Sequence, residues 1–348
     1  MAVPLGRPSL TWRRVNGSPE GLRVTGPRRP SRRRIIRRRV AAIDAGSNTT
    51  RLLVAEVQET SITHVERRLI FTRLGEGIDA TGRLNPRGIK ATAAAIAEFV
   101  DRSRELGAER IRIAGTSAVR EATNGEELIA AVKAATGLDL EVLSGEAEAA
   151  LSFAGATQDL PAGRYLVCDI GGGSTELAQG RKGATVDEGT LIEGAISLKL
   201  GVVRLTERHL AHDPPTPEEL AALEADIDRT LQAADEVLPH AASAGFVGVA
   251  GTVTSLAAIR LGPEHDDPER VHGSELTWGD VAGLYRRLAG MSLPEREALP
   301  ALPPGRSDVI VAGCAILTRV MARWSFPAVR VSSKDILDGL GLELAALI

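Results

Sequence analysis

Apolar and polar positions along the chain mark out strands and helices in alternation. Val40-Ala41-Ala42-Ile43-Asp44 is a short unbroken apolar run of the kind a buried strand carries, and Ala45-Gly46-Ser47-Asn48-Thr49 behind it is a turn cluster. Stretches 51–57 and 62–74 read as two further strands, so the opening is expected to be an antiparallel meander. Asn85-Pro86 marks a helix start with Pro at its first position. The apolar face of that helix, Ile89, Ala93, Ile96, Val100 and Leu106, recurs close to every 3.6 residues. A strand over 110–114, a helix over 126–135 and a strand over 140–143 follow. Farther on come a charged helical region near 218–237 and a strand over 246–250 running into the small-residue turn Gly251-Thr252-Val253-Thr254. The apolar tail 336–348 reads as a closing helix. Such alternation predicts an α/β architecture with mixed sheets.

The pattern occurs twice. Ala42-Ile43-Asp44-Ala45-Gly46-Ser47-Asn48-Thr49-Thr50-Arg51-Leu52 is matched 125 residues later by Val167-Cys168-Asp169-Ile170-Gly171-Gly172-Gly173-Ser174-Thr175-Glu176-Leu177. Each is an apolar strand ending in Asp, a turn of small and hydroxyl residues, and a second strand. Two similar domains facing one another would bring the Asp-terminated turns together across a cleft. The expected organisation is a leader over 1–39, domains over 40–151 and 152–335, and a closing helix over 336–348 that docks back on the first domain.

Composition narrows the functional classes. The 348 residues are 43% hydrophobic and 25% charged, the profile of a globular protein with ample core for two domains. Aromatics are only 3%, too few for the stacking platforms of a single-strand nucleic-acid binder. The apolar stretch Val309–Leu317 has nine residues, against about 20 for a membrane span. Cys168 and Cys314 are distant and each lies in an apolar run, which suits neither a disulfide framework nor a zinc site. A cytoplasmic location is the expectation. The net charge of −3 conceals an asymmetry: residues 1–39 hold twelve arginines, one acid and no lysine, which leaves −14 on the remainder. The leader is read as a solvated arm or a dispensable extension, with contact to polyanions as the alternative.

Candidate chemistry concentrates in the second turn. Gly171, Gly172 and Gly173 lack Cβ atoms, so successive backbone N–H groups can close around an anion as a nest, with Ser174 and Thr175 adding hydroxyl donors. Asp169 and Glu176 beside them can hold a hydrated divalent cation against that anion. The first turn would form the opposing half of a phosphate clamp, and Gly251-Thr252 offers a third small-residue loop. No P-loop occurs. Gly75-Glu76-Gly77 is rejected as a dinucleotide fingerprint because no helix is expected directly after it, and the six histidines lack ligand spacing.

With these segments in hand, the chain from about Val40 onward resembles the exopolyphosphatase/guanosine pentaphosphatase family. The likeness runs through Asp44–Leu53, Leu74-Gly75-Glu76-Gly77, Thr116–Asn124, Ser144–Ala149, Asp169–Leu177, Ser197–Gly201 and Gly251-Thr252. It implies two RNase H-like domains of the actin, chaperone ATPase and sugar kinase superfamily around a central phosphate-binding cleft. It further implies Glu148 as the general base that activates water, and Asp169 and Glu176, with Asp44, as residues that organise Mg2+; K+ is a second cation to consider. Gly46, Ser47, Asn48, Thr49, Arg120, Gly171, Gly172, Gly173, Ser174, Gly251 and Thr252 would contact substrate phosphate. The resemblance lacks the C-terminal HD-type domain of longer members, which argues against strong processivity on very long chains. Release of terminal orthophosphate from polyphosphate is the expected activity, by a homodimer with no membrane or sequence-specific nucleic-acid partner. The rivals are a guanosine pentaphosphate 5′-phosphohydrolase acting on a (p)ppGpp-type nucleotide, an ATPase or kinase of the superfamily, and a non-catalytic polyphosphate or RNA sensor.

Overall fold

The protein is described from a computed structural model, which covers residues 38–347 apart from 59–60, 185–188, 263–267 and 304. The expectations for the arginine-rich leader up to residue 37 lie outside the described residues.

The first half runs β1 (Arg38–Ala45), β2 (Thr49–Gln58), β3 (Ser61–Phe71), α1 (Ile78–Thr81), α2 (Pro86–Glu105), β4 (Arg110–Gly115), α3 (Ser117–Glu121), α4 (Gly125–Thr136), β5 (Leu140–Val142) and α5 (Gly145–Thr157). The second half opens with β6 (Gly163–Ile170), β7 (Thr175–Lys182), β8 (Thr190–Leu198), α6 (Val202–His209) and α7 (Pro217–Leu231). It continues through β9 (Gly245–Val249), α8 (Ala250–Leu261), α9 (Pro268–Val271), β10 (Glu275–Thr277), α10 (Trp278–Ala289), α11 (Leu293–Glu297), α12 (Ile310–Arg323), β11 (Ala328–Val331) and α13 (Ile336–Ala346).

The internal repeat is visible as topology. One sheet has the order β3-β2-β1-β4-β5; the other reads β8-β7-β6-β9-β11 with β10 added at its edge. In each, an antiparallel meander is extended by parallel strands on its first strand. This is the doubled α/β architecture, with mixed sheets, that the sequence repeat predicts.

Strand alternation explains both the cores and the placement of the acids. Ala41, Ile43 and Ala45 pack toward α2 and α4, while Val40 and Ala42 face α13. Coverage on both faces is why the run has no polar gaps. Period two then sends Asp44 to the α13 side. In the second sheet Leu166, Cys168 and Ile170 join the large core beneath α6–α12, and Val167 faces α5. Asp169 therefore points toward α5, as does Glu176, its direct partner in the β6–β7 ladder.

Four readings are corrected. A helical turn, α1, does follow Gly75-Glu76-Gly77, but it spans four residues between Gly77 and Gly82, both at positive φ, and is far too short for a dinucleotide helix. Residues 251–254 form the first turn of α8 rather than a loop, the bend being made one residue earlier by Ala250 at φ 66°. Arg38 and Arg39, assigned to the leader, belong to β1, where Arg39 Nη1 donates to the Leu106 carbonyl at 2.8 Å. The expected boundary at 151/152 falls inside α5, which runs unbroken, so the chain passes between the sheets as a helix.

Candidate active site

The turns after β1 and β6 meet. A Cβ on Gly172 would lie 2.9 Å from the Asn48 nitrogen and 3.0 Å from Ser47 Cβ; one on Gly173 would lie 2.5 Å from the hydroxyls of both Ser47 and Ser117. None of the three glycines takes a left-handed φ. They are needed for this approach rather than for turn geometry, and the alternating left-handed backbone of an anion nest is not what they form. The backbone N–H groups of Gly172 and Gly173 nonetheless have no hydrogen-bond acceptor among the described residues.

Between the turns lies a cavity of about 110 Å³, lined by Asp44, Gly46, Ser47, Asn48, Thr49, Glu148, Asp169, Gly171, Gly172, Ser174, Glu176, Gly251 and Thr252, among others. Fourteen residues were expected at the site from sequence, besides Asp44; the cavity gathers all of them but Gly173 and Arg120. Gly173 sits behind Gly172 against the two serines. Arg120 donates from Nη1 to Glu148 Oε2 at 2.9 Å and to the Leu143 carbonyl at 2.8 Å, so its guanidinium holds the candidate base.

The four acids are buried: Asp44 is 3% exposed, Glu148 7%, Asp169 6% and Glu176 2%. Burial, reinforced by the Glu176 charge, raises the Glu148 pKa well above the carboxylate range against the pull of Arg120. Burial also pushes Asp169 up to about 6; Arg51 opposes it, and Asp335 and Asp44 add to it. Glu176 is raised by burial and by the charge of Asp169. Each acid is fixed by a neighbour. Ser152 on α5 donates to Asp169 Oδ2 at 2.5 Å, Ser197 to Glu176 Oε1 at 2.7 Å, and Arg51 Nη2 to Asp44 Oδ2 at 2.6 Å. Asp44 Oδ1 is buried with no hydrogen-bond partner.

Sequence reasoning left out two arginines. Arg51 bridges Asp44 and Asp335, the N-cap of α13. Burial works against its charge, but the carboxylates outweigh burial and hold its pKa above the usual value. Arg306, from the segment before α12, lines the cavity and forms no ion pair with a described acid; burial and the charge of Arg51 lower it to about 10. Its guanidinium lies over Gly251, where a Cβ would be 2.6 Å from Cζ. The start of α8, expected from sequence at Gly251 and Thr252, completes this wall: its N-cap Val249 supplies no side-chain cap, so the first-turn N–H groups and the half-buried Arg306 converge there. The cue for Arg306 was weak, a lone arginine in a Pro- and Gly-containing segment.

Residues 53–345 match the model of the Ppx/GppA phosphatase family. Exopolyphosphatase 2 of Mycobacterium tuberculosis is 36% identical over 324 residues, covering 88% of this chain and 98% of its own. The guanosine-5′-triphosphate,3′-diphosphate pyrophosphatase of Vibrio cholerae is 30% identical over 308 residues, 87% of this chain and 59% of its own. Among solved structures, the Aquifex aeolicus Ppx/GppA family member superposes with a TM-score of 0.73 at 30% identity, over 89% of this chain and 98% of its own. With nearly its whole described length matched in sequence and in fold, the chain belongs to the Ppx/GppA phosphatase family.

Proposed function

We propose that this protein releases orthophosphate from the end of inorganic polyphosphate by attack of water on the terminal phosphorus. The observation that carries this reading is a cavity walled by two hydroxyl-bearing glycine turns and an uncapped helix start, to which Glu148 brings a buried carboxylate whose proton affinity is raised by burial and by its acidic neighbours. Phosphoryl transfer asks a protein mainly for positioning and charge stabilisation. The hydroxyls of Ser47 and Ser174, the amides of Gly172 and of the α8 first turn, and Arg306 would hold the terminal phosphoryl oxygens. Glu148 takes the proton of water as the new P–O bond forms; the bridging P–O bond breaks, and the shortened chain leaves with its electron pair.

The acids fit a magnesium ion. Asp169 and Glu176 face each other across the ladder and Asp44 Oδ1 is unpartnered, so the buried negative charge exceeds what the Arg51 guanidinium on Asp44 Oδ2 offsets. No group of three or more acid, histidine or cysteine ligands among the described residues is arranged to cage an ion. That suits Mg2+, which keeps several waters and uses one or two carboxylates plus substrate phosphate. Bound there, it would neutralise charge on the phosphate oxygens. A homodimer, expected from the family resemblance, and a cytoplasmic location, expected from composition, go with this reading.

Protonation offers a check that needs no turnover. Asp169 titrates higher folded than unfolded, as do Glu148 and Glu176. The stability these groups give is complete below their unfolded pKa near 4 and is lost as pH rises through about 6 and beyond. The metal-free protein should melt at a lower temperature at about pH 8 than at about pH 5. Added Mg2+ should raise the melting temperature at the higher pH and scarcely at the lower. A cation effect independent of pH would remove magnesium from these acids.

A second cavity favours one further substrate. It measures about 450 Å³, adjoins the first through Arg51, Gly251 and Arg306, and adds Arg67 and Arg68 to apolar Ala258, Val271 and Leu337. Basic and apolar walls together suit a nucleoside bearing phosphates, hence guanosine pentaphosphate. Phosphate release from short and long polyphosphates and from guanosine pentaphosphate, with and without Mg2+, tests both readings. We expect magnesium-dependent release with the higher kcat/KM on polyphosphate. The reverse order would install the nucleotide, and no release from any of them would end the hydrolase reading.

A further inference from the structure

Arg204, on α6, is only 5% exposed, yet its guanidinium serves three separate elements. Nε donates to the Gly173 carbonyl at 2.9 Å, Nη1 to Asp79 Oδ1 at 2.5 Å and Nη2 to Glu121 Oε2 at 3.0 Å. Gly173 belongs to the second-sheet half, as Arg204 does. Asp79 on α1 and Glu121 at the end of α3 belong to the first. One buried cation thus spans the meeting line of the halves and grips the glycine turn at the same time.

The surroundings reinforce both grips. The N–H groups of Val203 and Arg204 donate to the Gly172 carbonyl at 2.9 and 3.4 Å, and Gly201 touches the turn so closely that a Cβ there would lie 2.2 Å from the Gly172 oxygen. On the other side, Arg208 donates to both carboxylate oxygens of Asp79, and Glu207 accepts the Gly77 N–H at 3.0 Å. Glu121 directly follows Arg120, which holds Glu148. Separating the halves would strip Arg204 of both carboxylates and open it to water, leaving the Gly173 carbonyl as the one of these three partners that still holds it. Closure and the shape of the turn are therefore linked through one side chain.

We propose that Arg204 is a positioning residue that sets the glycine turn and the Arg120–Glu148 pair in register only when the two halves are together. Its kinetic consequence rests on the hydrolase reading above; its structural consequence does not. Hydrogen exchange followed at residues 171–174 provides the direct test, on the full chain with and without sodium tripolyphosphate. Arg204→Met should speed exchange there by about tenfold or more, the scale of losing charge-assisted hydrogen bonds, and should raise KM for tripolyphosphate by a similar factor. Arg204→Lys, which keeps the charge but can serve fewer partners, should recover part of both. The decisive variant is Asp79→Asn, because Asp79 does not touch the turn. If cleft closure shapes the turn, exchange at 171–174 rises in Asp79→Asn as well, and the ligand slows it less than in the wild type. Unchanged exchange at 171–174 in Asp79→Asn would overturn the coupling, even if Arg204→Met fails to fold. Should the wild type release no phosphate, the hydrolase reading fails alone, and the exchange data still decide the role of Arg204.

Discussion

Glu148→Gln is expected to lower kcat for phosphate release by about 10²- to 10⁴-fold, the span seen when a general base is removed. The amide keeps the volume of the side chain and an oxygen that can accept from Arg120 Nη1. Stability should hold or rise at about pH 8, because burial and Glu176 make the ionised carboxylate unfavourable in the folded chain. The other three acids of the cavity are the ones read above as holding magnesium, each fixed through one oxygen, which leaves Glu148 for the base. Asp169 Oδ2 is taken by Ser152, Glu176 Oε1 by Ser197 and Asp44 Oδ2 by Arg51. Glu148 gives one oxygen to Arg120, and its other oxygen accepts nothing from any described residue. The wild-type kcat/KM should climb with pH through a limb above the usual carboxylate range, and the Gln variant should lack that limb. Retention of more than about a tenth of kcat would move the proton acceptor elsewhere, since the span above starts at 10².

How much of this was legible in the chain follows from where each signal resides. The two Asp-terminated strands could be read because burial on both faces forces a continuous apolar run, so one charged residue at its end stands out. The repeat itself is matched by the sheet orders, and the close approach of Gly172 to Ser47 and Asn48 shows the turns meeting. The reason for Gly172 and Gly173 was not legible: a composition of three glycines looks the same whether it serves left-handed backbone or close approach, and only the opposing Ser47 and Asn48 decide it. Arg306 and Asp335 escaped for a related cause. Each reaches the site from a segment remote in sequence: Gly305, next to Arg306, accepts from Asn48, 257 residues away, and Asp335 accepts from Arg51, 284 residues away. Ser152 lay one helical turn beyond Glu148, a spacing that places both on the same face of α5. Helical periodicity could have found it.

Gly155→Ala is expected to cost both stability and activity although it touches no substrate. A Cβ at Gly155 would lie 2.0 Å from the Asp335 carbonyl oxygen and 2.9 Å from the Gly339 nitrogen; one at Gly339 would lie 2.2 Å from the Leu151 oxygen. Helices α5 and α13 therefore cross backbone to backbone, and a methyl group can be accommodated only by pushing them apart. Overpacking of this kind costs about 1–3 kcal/mol, which exceeds the roughly 0.5–1 kcal/mol that Ala gains over Gly in a helix. The same displacement reaches the chemistry from two sides: α5 carries Glu148 and Ser152, and the N-cap of α13 is Asp335, which holds Arg51. A shift near 1 Å at reacting groups can cost about 10²-fold in rate, so kcat should fall by at least tenfold. Gly283→Ala in α10 is the control, since a Cβ there meets nothing within 4 Å. It should stabilise by roughly 0.5–1 kcal/mol and leave kcat unchanged. Calorimetric melting and steady-state phosphate release on both variants measure the contrast. Equal behaviour of the two would mean that the helix crossing does not transmit strain to the site, and Glu148 would then owe its position to Arg120 and the Leu143 carbonyl alone.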